Sequence, residues 1–256
     1  MTALERVKSL GPPAVTLLVV MAFWEIAPGR VVPLLWMSPP SSVAVTLWAW
    51  IKNGSIFLQA GRTLSEMLIG FAIGAGIALA SALVLGTYAR LGEVVVPFFT
   101  ALYSLPKIAL APLFVLMFGV GLWSKVALVA FTVFFFVFHN ALDGLRSVDR
   151  DLLGILRLMG GSRLEGVRFV QLPFALGWIL SGMRVSITHA FMAAVVGEII
   201  SSNRGLGFLI QESAVNFDTN GLYASLLVIM LLAVALNAAI GAAERRNARW
   251  RNVEST

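Results

Sequence analysis

Unbroken apolar runs constrain this chain more than any other feature. Examples are "FAIGAGIALASALVLG" over 71–86 and "LLVIMLLAVALNAAIG" over 226–241. In lipid each unpaired backbone group costs several kcal/mol, so such runs fold as helices or as strands of a closed barrel. Barrel strands alternate polar and apolar residues over about ten positions. These runs do not alternate, so the reading is an all-α integral membrane protein. Composition agrees: 59% of residues are hydrophobic and 12% charged, mean hydropathy is +0.88, and soluble domains carry about 25% charged residues.

Crossing the hydrocarbon core takes about 20 mostly apolar residues. Six segments qualify: 13–27 (extending toward 36), 64–86, 94–118, 122–142, 178–200 and 222–243. They form one transmembrane domain over 1–256. The first has a basic start and an apolar run but no small-x-small site before a soluble domain, so it reads as an uncleaved helix. Lys and Arg favour the cytoplasmic side. One alternating set of connections holds Arg6, Lys8, Arg90, Arg146, Arg150, Arg157, Arg163, Arg168, Arg245, Arg246, Arg249 and Arg251; the other holds Arg30, Lys52 and Arg204. Both termini and the loop 143–177 are therefore expected in the cytoplasm, in a multi-pass protein. The net charge of +6 is then topological, and nucleic acid is not an expected partner. The chain has no cysteine, which excludes disulfides and thiol chemistry.

The segment 38–60 reads as an external interfacial helix, with Pro39–Pro40 before it, Ser41 or Ser42 as N-cap, Gly54 at its end and Trp48 and Trp50 at the lipid boundary. In the next span Gly70, Gly74, Ala78, Ala82 and Gly86 recur every four residues, a spacing that lets helix backbones approach closely in a membrane. Pro97, Pro106 and Pro112 are each expected to bend or break 94–118.

The charged stretch "LRLMGGSRLEGVRFVQLP", 156–173, interrupts the apolar pattern. Asp149 can N-cap a helix whose Leu152, Ile155, Leu156 and Met159 form one apolar stripe. Gly160–Gly161 end it, and Ser162 with Glu165 forms a capping box that starts a second helix, which Leu172–Pro173 terminate. Two short amphipathic helices result, joined by a glycine elbow. Such a pair lies on a membrane surface or fills a groove in a partner protein. Its mixed charge favours the protein partner.

"LMGGSRLEGVRFVQLPFALGWILSGMRVS" resembles the cytoplasmic signature loop of ABC importer permeases. That pattern is Glu-Ala-Ala, three residues, Gly, then about nine residues to an apolar residue, x, Leu-Pro. Gly160 and Leu172–Pro173 match it. "YSLPKIALAPLFVLMFGVGLWSK", "GLRSVDRDL" and "SSNRGLGFLI" are similar to the branch importing nitrate, sulfonates, taurine, bicarbonate and pyrimidine precursors, and the likeness runs over roughly 35–250. The resemblance implies a type I importer permease in the bacterial inner membrane, two copies or related chains forming the path. Two ATPase subunits would bind ATP and Mg, this chain holding no cofactor. A solute-binding protein would deliver the solute outside. Coupling to the ATPase falls on Asp151, Ile155, Leu156, Met159, Gly160, Gly161, Ser162, Arg163 and Glu165. The signature Glu-Ala-Ala is here Gly154, Ile155 and Leu156; either Asp151 replaces the acid or docking relies on Leu156 and Met159.

Charges at bilayer depth cost at least about 2.5 kcal/mol on insertion scales. Arg62 and Glu66, four apart, can pair on one face, and Lys125 can snorkel. Candidates for the translocation path or a gate are Lys107, Arg184, Thr188, His189, Met192 and Glu198. Packing or snorkelling stands beside that role for Lys107, anchoring for Arg184, and an internal hydrogen bond for His189. Asn203 and Arg204 belong to an external loop. Lys107, Arg184, His189 and Arg204 point to an anionic solute. No metal cluster or catalytic triad is readable, and no G-x-x-x-x-G-K-[ST] loop is present. The expected function is a transport subunit without enzymatic activity of its own. An ion-gradient-driven secondary transporter is the alternative, and it predicts acidic residues in mid-span.

Overall fold

A computed structural model describes residues 15, 16 and 18–248 of the chain. The elements are α1 (18–26), α2 (Pro40–Lys52), α3 (Ser55–Thr87), α4 (Ala89–Tyr103), a 3-10 turn (Lys107–Leu110), α5 (Ala111–Phe118), α6 (Leu122–Arg146), α7 (Arg150–Leu158), α8 (Arg163–Gly166), a π segment (Val167–Gln171), α9 (Leu172–Ser201), α10 (Leu206–Val215) and α11 (Thr219–Ala248). Among the described residues the only strand-like feature is an isolated bridge between Pro28 and Val32.

Four helical stretches are long and apolar enough to cross a membrane, and a bent pair makes five. The first expected span differs: part of 13–27 lies outside the described residues, and the extension toward 36 does not form. The chain turns at 27–32, where Gly29 takes a left-handed φ of 78°. Helix α2 starts at Pro40, ahead of both expected caps. Pro40 occupies its first turn, where a missing N–H costs nothing, and no side chain caps it. The Ser41 N–H and hydroxyl donate to Glu25 instead. Gly54, φ 74°, ends α2 and opens α3.

Helix α6 is the axis of the bundle, packed on α3 and on α9. The small-residue stripe of α3 makes this possible. A Cβ on Gly70 would sit 2.6 Å from the Val129 Cβ, and one on Gly74 would strike the Ala130 carbonyl. The α6–α9 crossing uses the same device: a Cβ on Gly182 would meet that of Asn140 at 2.6 Å. Without a hydrophobic drive between helices in lipid, such close approach is what holds them. Phe99 of α4 packs edge-on against Phe134 and Phe138 of α6, centroids 5.3 and 5.1 Å apart.

The three prolines act unequally. Pro97 lies inside α4 and Pro112 in the first turn of α5. The span breaks only at Pro106, where Arg90–Tyr103 and Lys107–Phe118 meet at 89°. Leu172–Pro173 also fails to terminate a helix: Arg163–Ser201 is one 39-residue helical run. Proline cannot donate to the carbonyl four residues back and crowds it. The π turn over Val167–Gln171 absorbs that mismatch. At 1.5 Å per residue the run is about 58 Å long, against about 30 Å of hydrocarbon.

Gly74→Val is expected to destabilise the chain by about 1–3 kcal/mol through overpacking. Gly76, whose Cβ would meet nothing within 4 Å, should accept Ala with a gain of roughly 0.5–1 kcal/mol. Thermal unfolding in one detergent compares the two.

Candidate functional site

Three groups of side chains stand out: a hairpin at one end of the bundle, a cavity at the broken span, and a polar network at the far end.

In the hairpin the Asp149 carboxylate accepts the Asp151 N–H at 2.9 Å and starts α7. Gly160, φ 85°, turns the chain, and the Gly161 N–H closes on the Leu156 carbonyl at 2.9 Å. The Ser162 N–H donates to Glu165 at 2.7 Å, and the Glu165 N–H to the Ser162 hydroxyl at 3.3 Å. That backbone donation from Ser162 holds the Glu165 carboxyl below its ordinary value. The single stripe expected on α7 divides in two. Leu156 folds back against Gly161 and Gly166, a helix phase nearer Leu153 than Leu152. Ile155, Leu158, Met159 and Leu164 project, Leu158 being 89% and Met159 80% exposed. Asp151 and Arg163 are exposed as well. Gly154 has open space around it, so nothing in the fold forbids a longer side chain there. Behind the hairpin lies a cavity of about 1010 Å³ walled partly by Arg90, Arg146 and Arg163. It belongs to the hairpin end, away from the broken span.

The bend at Pro106 opens a second cavity, about 260 Å³. It brings Lys107, His189 and Met192 together, with Thr132 and Phe136 of α6. The Lys107 ammonium donates to the Tyr103 carbonyl at 2.8 Å and lies 4.3 Å from the Tyr103 ring centroid. His189 stacks on Phe136, centroids 4.0 Å apart at 11°. The other expected path residues lie elsewhere. Arg184 is exposed on α9. Thr188 donates to Asn237 of α11 at 3.3 Å.

Glu198 belongs to the far-end network and is fully buried. It accepts the Thr63 hydroxyl at 2.8 Å and the Gly207 N–H at 2.8 Å, so its carboxyl group sits at the N-terminus of α10. Thr63 in turn accepts the Leu206 N–H at 2.9 Å, and Gln59 accepts the Gly205 N–H at 2.6 Å. Three donors at the start of α10, the N–H groups of Gly205, Leu206 and Gly207, thus have side-chain acceptors. Asn203 and Arg204 are exposed beside it, and the Arg204 carbonyl accepts the Ser202 hydroxyl at 2.6 Å.

Two expected interactions are replaced here. Glu66 pairs with Lys125 at 3.3 Å, both side chains buried; Arg62 is exposed and forms no ion pair with it. Lys125 does not snorkel to water but donates to Ser202 at 2.8 Å. A buried acid in lipid recovers its desolvation cost better from a cation across a helix contact than from an exposed one on its own surface. Gln59 and Thr63 were not singled out from the sequence. The signal was present: Gln59, Thr63 and Glu66 recur at helical spacing as a polar stripe on an apolar helix.

Lys125→Met alone should cost about 3–5 kcal/mol, because Glu66 is left buried without a cation. Adding Glu66→Gln should recover most of that loss. Unfolding measurements on the two single variants and the double variant give the coupling energy.

Residues 70–249 match the family described as binding-protein-dependent transport system inner membrane component. The chain is 29% identical over 235 residues to a putative aliphatic sulfonates transport permease protein of Bacillus subtilis, covering 91% of this chain and 85% of the relative. It is 32% identical over 241 residues to the formylaminopyrimidine transport permease protein of Halalkalibacterium halodurans, covering 93% and 95%. It is 27% identical over 247 residues to the taurine transport system permease protein of Escherichia coli, covering 94% and 89%. Among solved structures, a chain of an amino acid ABC transporter superposes with a TM-score of 0.63 at 15% identity, covering 78% of this chain and 98% of that one. A chain of the inward-facing methionine ABC transporter gives 0.61 at 18%, covering 78% and 97%. These two share the fold.

Proposed function

Because the chain belongs to the family of inner membrane components of binding-protein-dependent transport systems, we propose that it forms half of an ATP-driven importer's path for a small anion. It is an ABC transporter permease, and members of this family are transport subunits rather than enzymes. Two copies face each other, since four or five spans are too few to enclose a path alone. The hairpin end faces the cytoplasm, with both termini, and the network end faces outward, where a binding protein delivers the solute.

The observation that carries this reading is the hairpin. Its elbow is fixed by Gly160 and a closed capping box, yet Ile155, Leu158, Met159 and Leu164 project from it. A preorganised apolar surface that the chain leaves uncovered suits a groove in a partner. That partner is an ATPase subunit, which binds ATP and Mg. Its motion enters a helix running unbroken from Arg163 to Ser201. The solute is a sulfonate, taurine, nitrate or a related organic acid. Relatives for aliphatic sulfonates and taurine and the cation in the broken-span cavity support an anion. The formylaminopyrimidine relative marks the same scaffold serving another solute. A gradient-driven transporter finds less support, because the buried acids Glu66 and Glu198 engage Lys125, Thr63 and α10 at the bundle's far end rather than lining the cavity.

Met159→Glu and Leu158→Glu should each lower binding-protein-stimulated ATP hydrolysis and uptake about tenfold or more in proteoliposomes holding the permease, ATPase and binding protein. Leu156→Glu should instead lower yield, since Leu156 packs inside the hairpin. Gly154→Glu, which restores the signature acid, should keep coupling intact. Full coupling in both Met159→Glu and Leu158→Glu contradicts the docking role.

A further inference from the structure

We infer that the cavity at the broken span is a selective binding site for a small organic monoanion bearing no cationic group, with Lys107 as its charge partner. This rests on the importer reading above and adds that the permease itself tests the solute.

Lys107 is the starting point. It is half-buried in the bend, about three helical turns in from the end of α6 as judged by Thr132 across the cavity. Among the described residues no carboxylate forms an ion pair with Lys107. One of its donors goes to the Tyr103 carbonyl. The rings of Tyr103, Phe135 and Phe136 lie 4.3, 5.8 and 5.5 Å from the ammonium. Rings hold a cation in place without neutralising it. An uncompensated cation at this depth is costly, and an anion in the adjoining cavity relieves that cost.

The rest of the lining sets the class. His189 is clamped flat on Phe136, and its ring nitrogens have no hydrogen-bond partner among the described residues, so its one N–H can donate to an oxyanion. Met192, Leu105 and Ile108 supply an apolar wall for a short carbon body. The volume of about 260 Å³ admits a solute of a few carbons. One ammonium balances one negative charge, so a dianion leaves a surplus charge in the membrane. A zwitterion brings an ammonium beside Lys107 into a lining with no carboxylate, and one face of the Phe136 ring is already taken by His189.

The test uses the assembled permease–ATPase complex in nanodiscs, without binding protein, with 1-propanesulfonate, taurine and sulfate as probes in a thermal-shift titration. Propanesulfonate should give a saturable shift, with taurine and sulfate at least about tenfold weaker. Lys107→Met should weaken propanesulfonate about tenfold or more, and Lys107→Arg should restore most of it, which a merely structural loss would not do. No saturable shift in the wild-type complex, equal binding by Lys107→Met, or equal response to the three probes overturns the site. Normal stimulation of ATP hydrolysis by the loaded binding protein in that same complex leaves the importer reading standing; absence of that stimulation in the wild type overturns the importer reading instead.

Discussion

The Glu66–Lys125 pair joins α3 to α6 inside the apolar bundle, and much of the architecture depends on it. Neither charge could sit there alone, since burying an unpaired ion costs several kcal/mol. The pair fixes the rotation of α3 on α6, which is also the rotation that turns Gly70 and Gly74 against Val129 and Ala130. Lys125 extends the link to Ser202, and Glu198 next to it extends it to α10. One cluster of charges and small residues thereby sets the register of four helices. It also anchors α10, whose first N–H groups find acceptors on α3 and α9 rather than in lipid.

Two breaks in regular helix then divide the labour. The bend at Pro106 separates α4 from the 3-10 turn and α5 and opens a polar pocket in what would otherwise be continuous span. Irregular backbone at membrane depth is tolerated where it lines a cavity, and this one does. The π turn before Pro173 has the opposite effect: it keeps the helix from breaking, so a single rod connects the hairpin to Glu198 and Ser201. A displacement applied at the hairpin would pass along one continuous helical run, past His189 and Met192, to the network at the other end.

The long spans, the α3 seam, the glycine elbow and the capping box were legible in the sequence because each is a local pattern: a run length, a four-residue repeat, a positive-φ glycine, a Ser-x-x-Glu. The ion pair was not, because Glu66 and Lys125 are far apart in sequence and nothing local prefers Lys125 over Arg62. The stripe on α7 was misjudged because Leu156 and Leu153 turn inward against Gly161 and Gly166, a contact between two short helices that periodicity along one helix does not contain. Leu172–Pro173 read as a stop because proline ends most helices, whereas here a one-residue widening of the preceding turn accommodates it. Lys107, His189 and Met192 come from two spans, and only the bend unites them; Thr188, on the neighbouring side of α9, turns to Asn237 instead.

Arg163–Ser201 is one continuous helical run between the hairpin and the far-end network, and a lever of that kind moves its two ends in opposite senses. The chain contains no cysteine, so a single spin label at Leu164 or at Asn203 reports the distance between two copies in the assembled transporter. On ATP binding the two distances should change oppositely, the labels at 164 approaching while those at 203 separate. Movement at 164 with no change at 203, or the same sign at both, would contradict it.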